Sequence, residues 1–189
     1  MASESQAVAG AAADATPIAE TSEAVRRVSA ALESRGHPHR PRWLAVAART
    51  SQDAADALGI AVGQIAKSVI FRRSEDQRAV LVIAAGDRRV DEAKVAALVG
   101  AIGRADAGFV KAQTGFSIGG VAPLAHTNPP VTLIDCSLFR FDEIWAAAGH
   151  PNAVFRLSPQ QLQSLAQPAP VTDVTPGELP AELQQFLSR

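Results

Sequence analysis

The sequence predicts one mixed α/β domain of the α+β type. Three observations indicate this class. Short apolar, strand-like runs alternate irregularly with short amphipathic segments. The 189 residues, 47% of them hydrophobic, are enough for one well-buried core. No internal repeat and no second domain can be recognised along the chain.

The chain is expected to become ordered at a first helix. Thr21 or Ser22 can cap this helix with a side-chain oxygen. Apolar residues then recur on one side of it, at Val25, Val28 and Leu32. Residues 1–20 are rich in alanine, slightly acidic, and lack the basic start and bulky apolar stretch of a signal peptide. We therefore expect a disordered tail before the helix.

The next part of the chain predicts a strand, a helix and two further strands. Trp43 to Ala47 resembles a short strand. Thr50, with Asp53 three residues later, predicts a capping box for a helix that ends at Gly59. Two apolar runs then predict strands, at residues 64–72 and 78–85.

Two helices and one strand are predicted in the following segment. Asp91 to Val99 predicts a helix that turns Val95, Leu98 and Val99 inward. Val131 to Ile134 predicts a strand that closes on an aspartate. Glu143 to Ala148 predicts a short helix, stopped by the glycine that follows.

The last part of the domain predicts two strands and two helices. Strands are expected at Ala153 to Leu157 and at Pro170 to Val174. Ser158–Pro159 predicts the start of a helix, because serine accepts orphan N–H bonds and proline fits the first turn. The segment from Thr175 to Glu178 predicts the start of a terminal helix. Its apolar residues have helical spacing: Leu179, Leu183, Phe186 and Leu187.

Composition limits the classes of function. A net charge of −1 and a pI near 6.4 argue against wrapping a long nucleic acid by charge, but allow binding of a short single-stranded end. The one cysteine, Cys136, cannot form an internal disulfide, which fits a reducing compartment. No stretch is long and apolar enough to cross a membrane. These features predict a soluble cytoplasmic protein.

The most informative residue is Lys67, which stands inside an apolar strand pattern. Burying an unpaired ammonium costs several kcal/mol or lowers its pKa, so this position needs an explanation. One explanation is an edge lysine whose stem lies on apolar surface while its head reaches water. The other is a cation that points into a pocket and holds a substrate oxygen.

A glycine-rich loop, Thr114 to His126, is the second candidate site feature. Gly119–Gly120, followed by a proline at residue 123, can form an ordinary turn, since glycine supplies positive φ. The same residues can instead present two or three consecutive N–H groups to an anionic oxygen. The loop lacks the spacing of a P-loop or of a dinucleotide fingerprint.

Several single residues have two interpretations each. Asp135 ends a strand, where site residues are common, but it can equally cap the following turn. His126 is a candidate binding residue. Cys136 is a candidate nucleophile, although no Cys–His partnership is visible. Four scattered histidines and one cysteine give no metal-ligand spacing, so no metal or other cofactor is expected.

The most basic segment of the chain is Arg26 to Arg42. It contains five arginines and one glutamate. Charge patterning allows a solvated helix face and loop. The alternative is an edge that contacts the phosphates of a nucleic acid.

Five motifs in order resemble the YbaK and prolyl-tRNA-synthetase-associated editing-domain family, which hydrolyses wrongly charged aminoacyl-tRNAs. They are I-A-K-S-V-I-F at 65–71, V-D-E-A-K-V at 90–95, T-G-F-S-I-G-G-V-A-P at 114–123, V-T-L-I-D at 131–135 and W-A-A-A-G-H-P-N at 145–152. The resemblance runs from about Thr21 to Val174. It therefore implies an editing domain at residues 21–174, after the tail at 1–20, and a C-terminal helical extension at 175–189.

The resemblance also implies a fold and a site. The fold would be a strongly twisted mixed sheet closing toward a barrel, with helices around it. Lys67 takes the family's catalytic or substrate-fixing lysine position. The loop that lines the aminoacyl pocket corresponds to Gly119, Gly120, Val121, Ala122 and Pro123, with His126 following it. Relatives often carry proline or serine where this chain has Ala122, so side-chain help is absent there. Asp135 joins the candidate site, and Val69 and Phe71 are candidate pocket walls.

The function implied is a free-standing hydrolase that removes the amino acid from the 3′ end of mischarged tRNA. A chain of 189 residues has no room for a synthetase catalytic core as well, so we expect action in trans. The alternative is a non-catalytic binder of tRNA ends, free amino acids or a synthetase partner. A third hypothesis makes Cys136 the nucleophile of a thiol hydrolase. No motif identifies the amino acid removed or the oligomeric state.

Overall fold

The computed structural model describes residues 22–46, 48–166 and 168–188. In chain order, the helices of this part are α1 (Glu23–Ser34), α2 (Ser51–Leu58), α3 (Glu92–Val99), α4 (Ala107–Thr114), α5 (Pro159–Leu165) and α6 (Ala181–Leu187). The strands are β1 (Arg42–Trp43), β2 (Ile65–Arg73), β3 (Ala79–Ala85), β4 (Ile102–Arg104), β5 (Val131–Asp135), β6 (Ile144–His150), β7 (Ala153–Leu157) and β8 (Val171–Thr172). None of the helices so described is long and apolar enough to cross a membrane.

The strands form one mixed sheet in the order β1-β7-β6-β2-β3-β5-β8, with β4 also paired to β2. Strand β2 is antiparallel to β3 and parallel to β6, while β3 and β5 run parallel. The predicted α/β class is therefore confirmed. Within the described residues β1 and β8 each pair with one neighbour, so the sheet is open and the expected closure toward a barrel is absent.

Strand β2 has one continuous edge and one split edge. Strand β3 pairs with β2 along residues 66–72. On the other edge, β6 pairs with residues 65–66 and β4 pairs with residues 71–73. No strand in the described part of the chain pairs with this edge of β2 between residues 67 and 70. The sheet therefore opens at its centre, beside Lys67.

The main core packs helices and loop against this sheet. Its largest fully buried side chains include Phe116, Phe155, Leu32 and Ile134. Ala66 on β2 belongs to this core together with Val121 and Ala122 of the glycine-rich loop. Successive strand residues face opposite sides of a sheet, so Lys67 leaves β2 on the face opposite to Ala66.

The predicted N-terminal caps of three helices are confirmed within the described residues. Ser22 caps α1, Thr50 and Asp53 form the capping box of α2, and Ser158 caps α5. The α2 helix ends at Gly59, whose left-handed φ of +68° suits a residue without a side chain. Thr21, Ala47 and the predicted tail at residues 1–20 lie outside the described residues.

The predicted helix at residues 143–148 is wrong, because this segment is the central strand β6. Its alanines favour a helix locally, but Ala146 pairs with Ala66 of β2 on one side and with Phe155 of β7 on the other. Gly149 lies at a bulge instead of a helix end. Its φ is +95°, and a Cβ there would lie 2.8 Å from the Ala24 backbone of α1.

One helix orientation and several element boundaries differ from the predictions, because tertiary contacts determine them. Leu98 of α3 is 54% exposed, so its predicted inward orientation is wrong, whereas Val95 is fully buried. The terminal helix begins at Ala181, after the prolines, and not at Thr175. The strands predicted at 43–47 and 170–174 are each two residues long, at 42–43 and 171–172. Helix α4 and strand β4 were not predicted.

Candidate active site

A cavity of about 410 Å³ lies at the split edge of β2. Its floor is formed by β2 residues 65–70, and the glycine-rich loop contributes Ile118, Gly119 and Val121. The remaining lining comes from the start of α2, from β6 and β7, and from residues Ala105, Val110 and Pro151. Most of these side chains are apolar, so the few polar groups present can fix the orientation of a ligand.

Lys67 lines this cavity, and its side chain is only partly exposed. Its Nζ donates to the carbonyl oxygen of Arg88 at 2.5 Å, in the turn after β3. An ammonium has three N–H donors, and the other two make no hydrogen bond to the described residues. Burial lowers the pKa of Lys67, partly offset by the Asp87 carboxylate. The group is therefore a partly desolvated cation with free donors.

The glycine-rich loop begins where α4 ends, and two glycines determine its path. Gly119 has a φ of +84°, which a residue with a side chain adopts only under strain. Gly120 packs directly on His150, where an added Cβ would lie 2.8–2.9 Å from three backbone atoms. This contact between the loop and β6 leaves no room for any larger residue at position 120.

The predicted row of consecutive free amides is interrupted at Gly120. Its N–H donates to the Ser117 carbonyl at 3.0 Å and closes a turn. Gly119 and Val121 both line the cavity, and their N–H groups make no hydrogen bond to the described part of the protein. Two alternate amides, not a continuous series, thus lack a hydrogen-bond partner in the described residues.

His126 supports the loop from behind and does not line the cavity. Its Nε2 lies 2.8 Å from the Ala122 carbonyl, so this nitrogen carries the proton and donates. Burial lowers the pKa of His126 to about 4, so the ring is neutral at pH 7. Arg27 supports the same region by donating from Nε to the Ala125 carbonyl at 2.9 Å and by stacking over Phe116.

Acid is therefore expected to destabilise the protein through His126. The pKa of His126 falls from 6.5 to about 4 on folding, so the unfolded chain binds the extra proton. The contribution of His126 to stability should be complete above about pH 6.5 and be lost as the pH drops toward 4, by at most about 3 kcal/mol. Urea unfolding at pH 7 and pH 4.5 should show a smaller loss for His126→Gln than for the native chain. Equal losses in both would contradict this role.

Four other predicted site residues lie away from the cavity lining. Phe71 is 6% exposed and packs in a separate cluster with Val80 and Val82 of β3. Ala122 and Pro123, which belong to the loop, are buried and do not line the cavity. Asp135 is buried and anchors the backbone, because its carboxylate accepts from the Ser137 amide and hydroxyl and, at 3.0 Å, from the Val174 amide. Val69, in contrast, lines the cavity.

Cys136 is placed poorly for nucleophilic attack. The residue is fully buried and does not line the cavity. Burial, together with the Asp135 and Asp173 carboxylates, raises the pKa of its thiol to about 12. A thiolate is the reactive form of cysteine, so this environment suppresses its reactivity. The described residues also contain no group of three or more His, Cys, Asp or Glu that could hold a metal ion.

Sequence reasoning missed part of the cavity. The missed lining residues include Ala48, Arg49, Thr50, Ser51, Ser68, Ile70, Trp145 and Pro151. The capping box at Thr50 locates the start of α2, but nothing local shows that this end faces β2. Ser68 and Ile70 contribute backbone at a split edge, which has no side-chain signature.

The basic segment at residues 26–42 divides into different roles. Arg27 is committed to the loop, and Arg40 pairs with Glu33 at 3.4 Å on the exposed surface. Arg42 lies over the ring of Trp145 at 4.7 Å, and Trp145 lines the cavity. Arg42 thus contacts a lining residue of the candidate site, and Arg49, outside this segment, lines the cavity itself.

A comparison of the chain with known protein families agrees with these features. The model of the aminoacyl-tRNA editing domain matches residues 45–165, and the chain belongs to this family. A curated relative is the uncharacterised protein YwhH of Bacillus subtilis. It is 36% identical over 118 residues, which cover 62% of this chain and 74% of the relative.

Solved structures with the same fold include two informative neighbours. One is provisionally described as a trans-editing enzyme for prolyl tRNA synthetase, with 40% identity and a TM-score of 0.77 over 82% of this chain and 99% of the neighbour. Another is the hypothetical protein APE2540, with 28% identity and a TM-score of 0.72 over 79% of this chain and 99% of that chain. The fold and the family thus define an editing domain.

Proposed function

We propose that the protein is a trans-acting hydrolase that removes the amino acid from mischarged tRNA. The observation that carries this proposal is the cavity at the split edge of β2. There a partly desolvated lysine and two unbonded loop amides, those of Gly119 and Val121, line one apolar space of about 410 Å³. The family and the neighbour described as a trans-editing enzyme support this reaction class.

The chemistry requires little covalent help from the protein. An aminoacyl ester is already activated, so attack by water, which the adjacent ribose hydroxyl can help to position, needs only placement and charge stabilisation. The water oxygen forms a bond to the acyl carbon, the ester C–O bond breaks, and the released ribose oxygen takes the proton that the water gives up. Lys67 and the two amides stabilise the negative charge that develops on the acyl oxygen. Each well-placed donor contributes on the order of 3 kcal/mol.

Selectivity for the amino acid follows from the shape of the cavity. Val69, Ile118 and Val121 narrow the space around the loop, so larger side chains are excluded by overlap. Smaller side chains are rejected less well, since each missing methylene changes the binding free energy by only about 1–3 kcal/mol. The cavity therefore sets an upper limit on size and discriminates weakly below it.

A panel of mischarged tRNAs tests this proposal. We expect the protein to release at least one small amino acid, for example alanine, cysteine or serine, from tRNA much faster than the uncatalysed ester hydrolyses. Bulky amino acids, such as phenylalanine, should be retained because they do not fit the cavity. Binding without turnover across the panel would show a non-catalytic recognition module of the same fold, and would refute the hydrolase.

A further inference from the structure

The unpaired backbone of β2 offers a binding site that no side chain reveals. Ser68 and Ile70 both line the cavity, and in the described residues no strand pairs with this edge between residues 67 and 70. Unpaired backbone groups in a mostly apolar cavity need a polar partner. We infer that one of the two carbonyl oxygens that face the split, that of Ser68 or that of Ile70, binds the α-ammonium group of the aminoacyl substrate.

The direction of these carbonyls follows from the register of the strand. The N–H of Arg73 donates toward β3, to the Arg78 carbonyl, at 2.9 Å, whereas the next N–H, of Ser74, donates toward β4 at 2.8 Å. In an antiparallel strand the N–H and C=O of one residue point the same way, and the direction alternates along the strand. Odd-numbered residues of β2 therefore point to β3. Ser68 and Ile70 point into the split.

The chemistry of an aminoacyl group matches this edge. Its α-nitrogen carries three donors and a positive charge, and carbonyl oxygens are acceptors with partial negative charge. The substrate would extend the sheet by one residue, in the way that a peptide adds to an exposed edge. Lys67 leaves β2 across the face of the sheet, while these carbonyls point along its plane. This difference in direction keeps the ammonium group of Lys67 apart from the α-ammonium group of the substrate.

This inference rests on the proposed function and predicts a substrate preference. The panel member that is hydrolysed fastest should be compared with its α-hydroxyacyl counterpart, which for alanine is lactyl-tRNA. The hydroxyl lacks the positive charge, so we expect kcat/KM, divided by the uncatalysed hydrolysis rate of the same ester, to be at least roughly tenfold lower, because hydrogen bonds to charged groups are the stronger ones. Equal values of this ratio for the two esters would overturn the inference while leaving the hydrolase intact.

Backbone substitution locates the acceptors. Incorporating the α-hydroxy analogue of Val69 or of Phe71 turns the preceding carbonyl, of Ser68 or Ile70, into a weaker ester acceptor and keeps every side chain. Each replacement also removes one N–H that points to β3. The matched control is the same replacement at Arg73, which removes the bond to the Arg78 carbonyl but weakens no carbonyl at the cavity.

The values of kcat/KM should distinguish the ester variants at positions 69 and 71 from the control variant at position 73. For aminoacyl-tRNA, we expect kcat/KM to fall roughly three- to tenfold at position 69 or 71 and to stay near the native value at position 73. For the α-hydroxyacyl substrate, none of the three should change it. An equal fall in all three variants would mean that only the stability of the strand had been measured, and would overturn the assignment. Absence of turnover in the native protein would refute the proposed function instead.

Discussion

Replacing Lys67 with methionine is expected to lower the single-turnover rate of deacylation by a factor of roughly 10²–10³. Methionine keeps the length and apolar stem of lysine but has no donor for the acyl oxygen. The free energy of unfolding should change by no more than about 1 kcal/mol. One hydrogen bond to the Arg88 carbonyl is lost, but the folded protein no longer desolvates a cation.

Lys111→Met is the matched control for this change. Lys111 is exposed on α4, donates to the Gly115 carbonyl at 3.1 Å, and does not line the cavity. Its replacement should leave the rate of deacylation unchanged. Full activity of Lys67→Met would remove the proposed mechanism, and an equal loss in both variants would point to tRNA attraction by general charge.

Gly120→Ala is expected to have the next largest effect, on both stability and activity. The new Cβ would lie 2.8–2.9 Å from the Cα, C and N atoms of His150, and backbone atoms cannot rotate away. The loop must shift from β6 and carry the neighbouring amides with it. We expect a loss of about 1–3 kcal/mol in unfolding free energy. Deacylation should slow by up to roughly 10²-fold, because catalysis depends on ångström-level placement.

Gly103→Ala provides the comparison for Gly120→Ala. A Cβ at Gly103 on β4 would meet no atom within 4 Å, so both stability and rate should stay near native values. Thermal unfolding and single-turnover kinetics on the same preparations measure the two effects together. A Gly120→Ala variant with native stability and rate would show that the close approach of loop and strand is not required.

Local signals predicted the parts of the fold that local chemistry determines. The capping boxes at Thr50 and Ser158 fix helix starts through hydrogen bonds within four residues, and the structure contains both. The segment at 143–148 was predicted as a helix because its alanines favour that state in isolation. It is a strand because it pairs with β2 and β7, and a pairing across some eighty residues has no local signature.

The candidate site likewise combines features that local sequence predicts with features that depend on tertiary contacts. A lysine inside an apolar strand pattern and a glycine pair in a loop directed attention to Lys67 and Gly119, and both line the cavity. Asp135 was selected because it ends a strand and His126 because it follows the loop, but the structure uses both to hold backbone in place. The split in the sheet could not be predicted, because it depends on β6 and β4 meeting different ends of one edge. A single sequence does not reveal unpaired backbone.

The most direct measurement is a crystal structure of the protein with a non-hydrolysable 3′-aminoacylamino analogue of the terminal adenosine of tRNA. We predict that its acyl oxygen lies within hydrogen-bond distance of Lys67 Nζ and of the Gly119 or Val121 amide, inside the cavity at the split edge of β2. An analogue bound elsewhere, or bound with its acyl group turned away from both donors, would contradict the account.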